Sequence, residues 1–374
     1  MTADRADRIR RGRISPLIDA PGDIAALSRD LAAQRMTDGL PVIPPTERRV
    51  AEMLAHTDRD PLEVIGILPP RQGEATVHAI AVNAVMAGLE PRLFPILLSA
   101  WDAITDVTFN IASINSTTHP CGVFLLVNGP LAREAGIENG PGCFGPGFPA
   151  NATLGRAIRL VQLNVAGAWP GTGDRATHGS PAKFAFCAAE LEDAPINPWG
   201  PYHVRKGFDA DVSTVTVFGG EGPHNIQEHG SNTAEGILLT IAGSMGQAGS
   251  NNLFRGGEPL LILGPEHAFT IAADGIGIAD IQRFVYERAT YPSSKLDPWF
   301  RDAYRLRLAA GREAEADDPA TDFRTIQRPE DLHVMVAGGP GKHSAWVSTF
   351  GDQTVPITRV IAGADGTPLR SLPA

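Results

Sequence analysis

From Gly122 the chain reads "GVFLLVNGP", an apolar run with no alternating polar position until Asn128-Gly129-Pro130 closes it. A strand with one wet face alternates, whereas a strand covered on both faces does not. The run therefore predicts a central strand of an α/β sheet with helices packed over it. The same grammar returns at 258–276, "EPLLILGPEHAFTIAADGI", again an apolar strand, Gly-Pro and a helix. A small-residue helix precedes each, "AIAVNAVMAGL" and "EGILLTIAGSMGQAG". The expected fold class is α/β, two weakly related α/β halves packed around a central cleft, with an internal duplication behind them.

The expected organisation follows from this frame. Residues 1–37 form an N-terminal helical extension and 38–170 the first α/β half. A crossover segment, 171–210, includes the proline- and charge-rich "ELEDAPINPWGPYHVRKGF". The second α/β half, 211–374, carries an acidic helical insertion near 295–325. Thr46 is placed to cap a helix, and Gly88 to end another. The 40 glycines and 31 prolines are dispersed, which suits a globular chain with many tight loops.

Charge and composition exclude some functions. A net charge of −10 argues against a nucleic-acid partner, which would demand clustered Lys and Arg. No stretch reaches the ~18 apolar residues of a membrane span. The charged N-terminus does not read as a secretory signal. Three scattered cysteines, Cys121, Cys143 and Cys187, make no disulfide framework and fit a cytoplasmic location. The small-residue helices and glycine loops would suit a homodimer.

Several phrases carry candidate chemistry. In "TTHPC", a strand beginning here would set His119 and Cys121 on one face, where an imidazole can activate a thiol, with Thr117 and Thr118 as hydroxyl donors. Most buried cysteines are simply small apolar side chains, so Cys121 has a plain structural alternative. "GEGPHNIQEHGSN" places His224, Asn225, Glu228 and His229 in one loop. His224, Glu228 and His229 are the candidate ligands of a divalent metal, although their spacing is not that of one helical face. "PEHA" sets His267 at a helix start beyond a strand end, where α/β sheets gather ligands.

Two glycine loops could cradle an anion. "GPGCFGPGFPANATLGRAIRL" enters a helix offering Asn151, Thr153, Arg156 and Arg159, and "AGGPGKHSAW" offers Lys342, His343 and Ser344. Neither has the spacing of a phosphate loop or dinucleotide fingerprint, so no nucleotide is expected. A further loop, "DRATHGSPAK", contains Asp174, Arg175, His178 and Lys183.

"DGLPVIPPT", "AVNAVMAGL", "TTHP", "ANATLGRAIRL", "PEHA" and "AGGPGKHS", spread over 38–350, resemble a largely uncharacterised bacterial family associated with UGSC-type selenocysteine redox proteins. The resemblance implies a small thiol or selenol redox protein as partner and assigns no catalytic residue. From the residues themselves, the expected function is a small-molecule enzyme. His119, Cys121, His229 and His267 would be its catalytic groups and Arg156 and Lys342 would hold an anionic substrate. The alternatives are a metal-dependent lyase or hydrolase and a non-catalytic scaffold subunit.

Overall fold

A computed structural model describes residues 17–19, 22–308 and 322–373. Most of the expected N-terminal extension's first half and the centre of the acidic insertion lie outside the described residues. The strands are β1 (Val64–Leu68), β2 (Gly73–Thr76), β3 (Gly122–Asn128), β4 (Cys187–Ala189), β5 (Thr214–Gly220) and β6 (His224–Gln227). They continue with β7 (Leu260–Leu263), β8 (Thr290–Tyr291), β9 (Phe323–Arg324), β10 (His333–Val336), β11 (His343–Val347) and β12 (Ile357–Val360). Helices alternate with them, so the fold class is α/β. No helix among the described residues is long and apolar enough to cross a membrane.

The chain divides into two compact units. The first gathers Met1–Ala189, His203–Gly219 and Pro356–Ala374, and the second Glu190–Tyr202 and Gly220–Val355.

In the first unit a four-stranded sheet runs β12-β5-β3-β4. Every residue of β3 is buried, which is why the opening run has no polar alternation. β3 and β4 are parallel, with Leu125 opposite Cys187. Phe124 anchors the sheet, its ring 4.5 Å from Phe186 and 6.0 Å from Phe218. Helices Val77–Ala87 and Pro149–Asn164 pack against each other, and Asn164 Nδ2 donates to Asn83 Oδ1 at 2.7 Å. Thr76 caps the first of these helices and left-handed Gly88 ends it. Thr46 caps helix Glu47–Leu54. Pro95 sits in the first turn of helix Phe94–Ile104, where its missing N–H costs nothing.

In the second unit the sheet order is β10-β7-β11-β6. β7 is parallel to β10 and antiparallel to β11, which is antiparallel to β6. One face carries Ile226, Leu261, Leu263, Val334, Val336 and Trp346 against helices Ala234–Met245, Pro265–Ala273 and Ile278–Arg288. Side chains alternate along strands, so His224 and Ser344 share that helix-covered face. Asn225, Gln227 and His343 are on the opposite face.

The two sheets share a strand grammar. β3 and β7 each lead through Gly-Pro into a helix, and each pairs in parallel with a later strand, β4 and β10. β6, which follows β5, joins the second unit's sheet, and β12, which follows β11, joins the first unit's. This likeness is topological; common descent of the halves remains our proposal.

Candidate functional site

The expected site residues divide between the units. Thr117, Thr118, His119, Cys121, Asn151, Thr153 and Arg156 belong to the first. His224, Asn225, Glu228, His229, His267, Lys342, His343 and Ser344 belong to the second.

In the first unit the strand begins at Gly122, so His119 and Cys121 precede it on a bend, not on one strand face. Thr117 Oγ1 accepts the His119 N–H at 3.0 Å. Cys121 is 1% exposed, with its Sγ 3.7 Å from the Gly122 carbonyl, the setting of a small buried side chain. Thr118 contributes its carbonyl, accepting the Thr177 N–H at 3.0 Å, which fastens this segment to the 174–183 loop.

The helix start supplies brackets where a substrate cradle was expected. Buried Asn151 accepts the Glu138 N–H at 2.8 Å and donates to the carbonyls of Glu138, Cys143 and Cys187 at 3.0, 3.2 and 3.1 Å. The Thr153 hydroxyl turns back to the Pro149 carbonyl at 2.7 Å. Arg156 grips Asp38 through Nε at 2.7 Å and Nη2 at 2.9 Å, and donates to the Pro41 carbonyl at 2.8 Å. These three side chains therefore hold loops in place, and Arg156 is already paired. Burial pushes the Cys143 thiol up to about 11 and raises Cys187 as well.

One turn beyond Arg156, Arg159 is 9% exposed, and it lines a cavity of about 410 Å³. Its Nη2 donates to the Ala168 carbonyl at 3.3 Å and to Asp174 Oδ2 at 3.1 Å. Lys183 Nζ reaches the same Asp174 oxygen at 2.7 Å. Asp174 Oδ1 accepts the Ala176 N–H at 2.9 Å. Two cations thus share one carboxylate, leaving one net positive charge at the cavity wall. Asp38 also lines the cavity, but Arg156 neutralises it. Burial lowers the Arg159 pKa, against the attraction of Asp174. Arg159 Nε and Nη1 find no partner among the described residues. Leu163, Trp169, Pro181 and Phe184 make the rest of the wall apolar, and exposed His178 also lines it.

The sequence shows Arg159 on the helix after a glycine loop and Asp174, His178 and Lys183 in a separate loop, with nothing local to bring them together or to mark Trp169. The Trp169 carbonyl accepts the N–H groups of Gly173 and Asp174, both at 2.9 Å, closing the turn that presents Asp174. Gly173 permits this turn, because a Cβ there would lie 2.2 Å from the Gly167 carbonyl oxygen.

Comparison with protein-family models, curated proteins and solved structures gives no match.

In the second unit two histidine groups occupy opposite faces of the sheet. On the helix-covered face, fully buried His267 places Nδ1 2.8 Å from Ser344 Oγ and Nε2 2.9 Å from the Glu228 carbonyl. A carbonyl only accepts, so Nε2 carries the proton and Ser344 donates to Nδ1. Ser344 Oγ also accepts the Gly264 N–H at 3.3 Å. Burial lowers the His267 pKa, and its bond to Glu228 only partly offsets this. His267 is therefore a neutral bracket between helix, strand and loop.

The stability held in neutral His267 is fully present above the ordinary value of ~6.5 and is lost as pH falls through the lower folded value. Denaturation midpoints of wild type should fall on acidification below ~6.5, and His267→Gln should flatten that decline; parallel profiles would refute this role.

On the opposite face His229 and His343 meet with Nε2 atoms 3.1 Å apart, and His343 Nδ1 is 2.9 Å from Asn225 Oδ1. Lys342 Nζ donates to the Ser231 carbonyl at 3.0 Å and to Asn232 Oδ1 at 2.9 Å, which commits it to the 229–232 loop. The glycine loop 338–341 leads into strand β11, so no helix N-terminus follows it. The Glu228 carboxylate turns back onto its own loop. Its burial raises the pKa, but the N–H groups of Ser231 and Gly230 outweigh this and hold it below the usual range.

The expected metal triad is not assembled. His224 lies on the helix-covered face, its ring 6.5 Å from Trp346, across the sheet from the face that carries His343. Among the described residues no three His, Cys, Asp or Glu side chains gather as metal ligands.

Proposed function

We propose that the first unit binds a small organic anion, a monocarboxylate with an apolar or aromatic body, and acts on it by acid–base chemistry. The observation that carries this reading is the Arg159–Asp174–Lys183 cluster, with its surplus positive charge at the wall of a largely apolar cavity. The cavity's volume falls in the ~300–1,000 Å³ range of small-molecule sites.

Arg159 offers its charge and its unpaired Nη1 N–H groups as donors to a carboxylate, while Nη2 stays on Asp174. Lys183 adds a second cation, while Asp174 orients both. Trp169 and Phe184 cover the apolar body. His178, at the wall and in contact with solvent, is positioned to exchange a proton with substrate. An imidazole can both accept and donate a proton, which suits that role. The three buried thiols suit a reducing compartment such as the cytoplasm.

The test is a panel of small aromatic and aliphatic acids incubated with the full chain, with binding followed by ligand-detected NMR and conversion by mass spectrometry. Arg159→Met is expected to abolish binding. His178→Ala should retain binding and lose conversion by ~10²-fold or more. If Arg159→Met binds the acids as wild type does, the reading fails; binding without conversion would make the unit a ligand-binding module.

A further inference from the structure

We infer that His229 and His343 form a two-histidine site for a borderline transition-metal dication such as Cu²⁺ or Zn²⁺. This site is separate from the proposed anion pocket and does not depend on it.

The geometry comes from the sheet. His343 opens β11 opposite Gln227, and Asn225 lies two residues along β6 on the same face. His229 follows the end of β6 and folds back over His343, their ring planes 87° apart. All three side chains are exposed, so the face is open to an ion and to water ligands.

The nitrogen spacing fits shared coordination. Two imidazoles bound at ~2.0–2.1 Å stand about 2.9 Å apart at a right angle and about 3.4 Å apart at the tetrahedral angle. The observed Nε2···Nε2 distance of 3.1 Å lies between these limits.

Asn225 supports the assignment. A ligating histidine characteristically donates its other N–H to an oxygen, which fixes the tautomer and ring. His343 Nδ1 has such a partner in Asn225 Oδ1, so its Nε2 presents a bare lone pair toward His229. The backbone holds the other end, since the Glu228 N–H donates to the Lys342 carbonyl at 3.3 Å. Lys342 donates to the Ser231 carbonyl at 3.0 Å, to Asn232 Oδ1 at 2.9 Å and to the His229 carbonyl at 3.5 Å, and its ammonium makes no hydrogen bond to either ring nitrogen. Imidazole ligation favours Cu²⁺, Ni²⁺ and Zn²⁺ over Mg²⁺ and Ca²⁺, which prefer oxygen. Solvent fills the remaining positions.

The competing explanation for a 3.1 Å contact is a plain hydrogen bond between two imidazoles, and the experiment separates them. The untagged full chain is titrated with Cu²⁺ by calorimetry and electron paramagnetic resonance. One equivalent should bind with superhyperfine splitting from two nitrogens. His229→Ala and His343→Ala should each weaken binding at least tenfold and remove the two-nitrogen signature. Asn225→Ala should weaken it about 10-fold. His224→Ala, on the other face, should leave it unchanged. Circular dichroism establishes that each variant is folded. Absence of a saturable equivalent, or equal binding by wild type and folded His343→Ala, would overturn the assignment in favour of the imidazole hydrogen bond alone.

Discussion

Replacing Asp174 with alanine is expected to cost about 3–5 kcal/mol of stability, the scale on which removing one partner of a buried ion pair leaves a charge uncompensated. Asp174 is 4% exposed and carries both Arg159 and Lys183 on one oxygen. With the carboxylate gone, two cations remain on the wall of a largely apolar cavity. The same logic makes the effect non-additive. Arg159→Met removes one stranded cation, so the double variant Arg159→Met/Asp174→Ala should lose less than the two single losses combined. Chemical denaturation of the four proteins measures the coupling. Simple additivity would show that the three charges do not act as a unit.

Asn151→Ala is the second large effect. Its amide satisfies the Glu138 N–H and three carbonyls, those of Glu138 and Cys143 in one loop and of Cys187 in strand β4. Each buried group left unsatisfied costs about 1–3 kcal/mol, so a loss of ~3 kcal/mol or more is expected. A chemical readout distinguishes this from general weakening. Cys143 is 2% exposed and its thiol is held up near 11, so wild type should resist alkylation at neutral pH. Loosening the Glu138–Cys143 loop should expose that thiol. Mass spectrometry should find faster alkylation at Cys143 in Asn151→Ala, with Cys121 unaffected. An unchanged rate at Cys143 would show that Asn151 does not hold the loop.

The elements legible in the sequence were those set by local chemistry. The unbroken apolar run gave β3, Thr46 gave a helix start, and Gly88 gave a left-handed end. At helix Ala234–Met245 Thr233 is the cap, because its hydroxyl reaches the Gly236 N–H. What stayed hidden depends on long-range pairing. Nothing local marks β6 as the neighbour of β11, which lies over a hundred residues on, yet that register separates His224 from His343.

The site was partly legible for the same reason. Residue type drew attention to Arg, His and Asn beside glycine loops, but type does not say which are already paired. Arg156 and Arg159 lie three apart on one helix. Arg156 meets Asp38, while Arg159 meets an aspartate shared with Lys183. Only the fold decides which retains unpaired donors. Likewise His267 was singled out by its place beyond a strand end, and that position buries it against Ser344.

The central claim is that Arg159 and Lys183 recognise the negative charge of a small organic acid. The most direct measurement is calorimetric titration of wild type with an aromatic monocarboxylate that binds it and with that acid's neutral primary amide, repeated on Arg159→Met. The account predicts saturable binding of the acid, at least tenfold weaker binding of the amide, and loss of that preference in the variant. Equal affinity for acid and amide, or a preference that survives Arg159→Met, would contradict it.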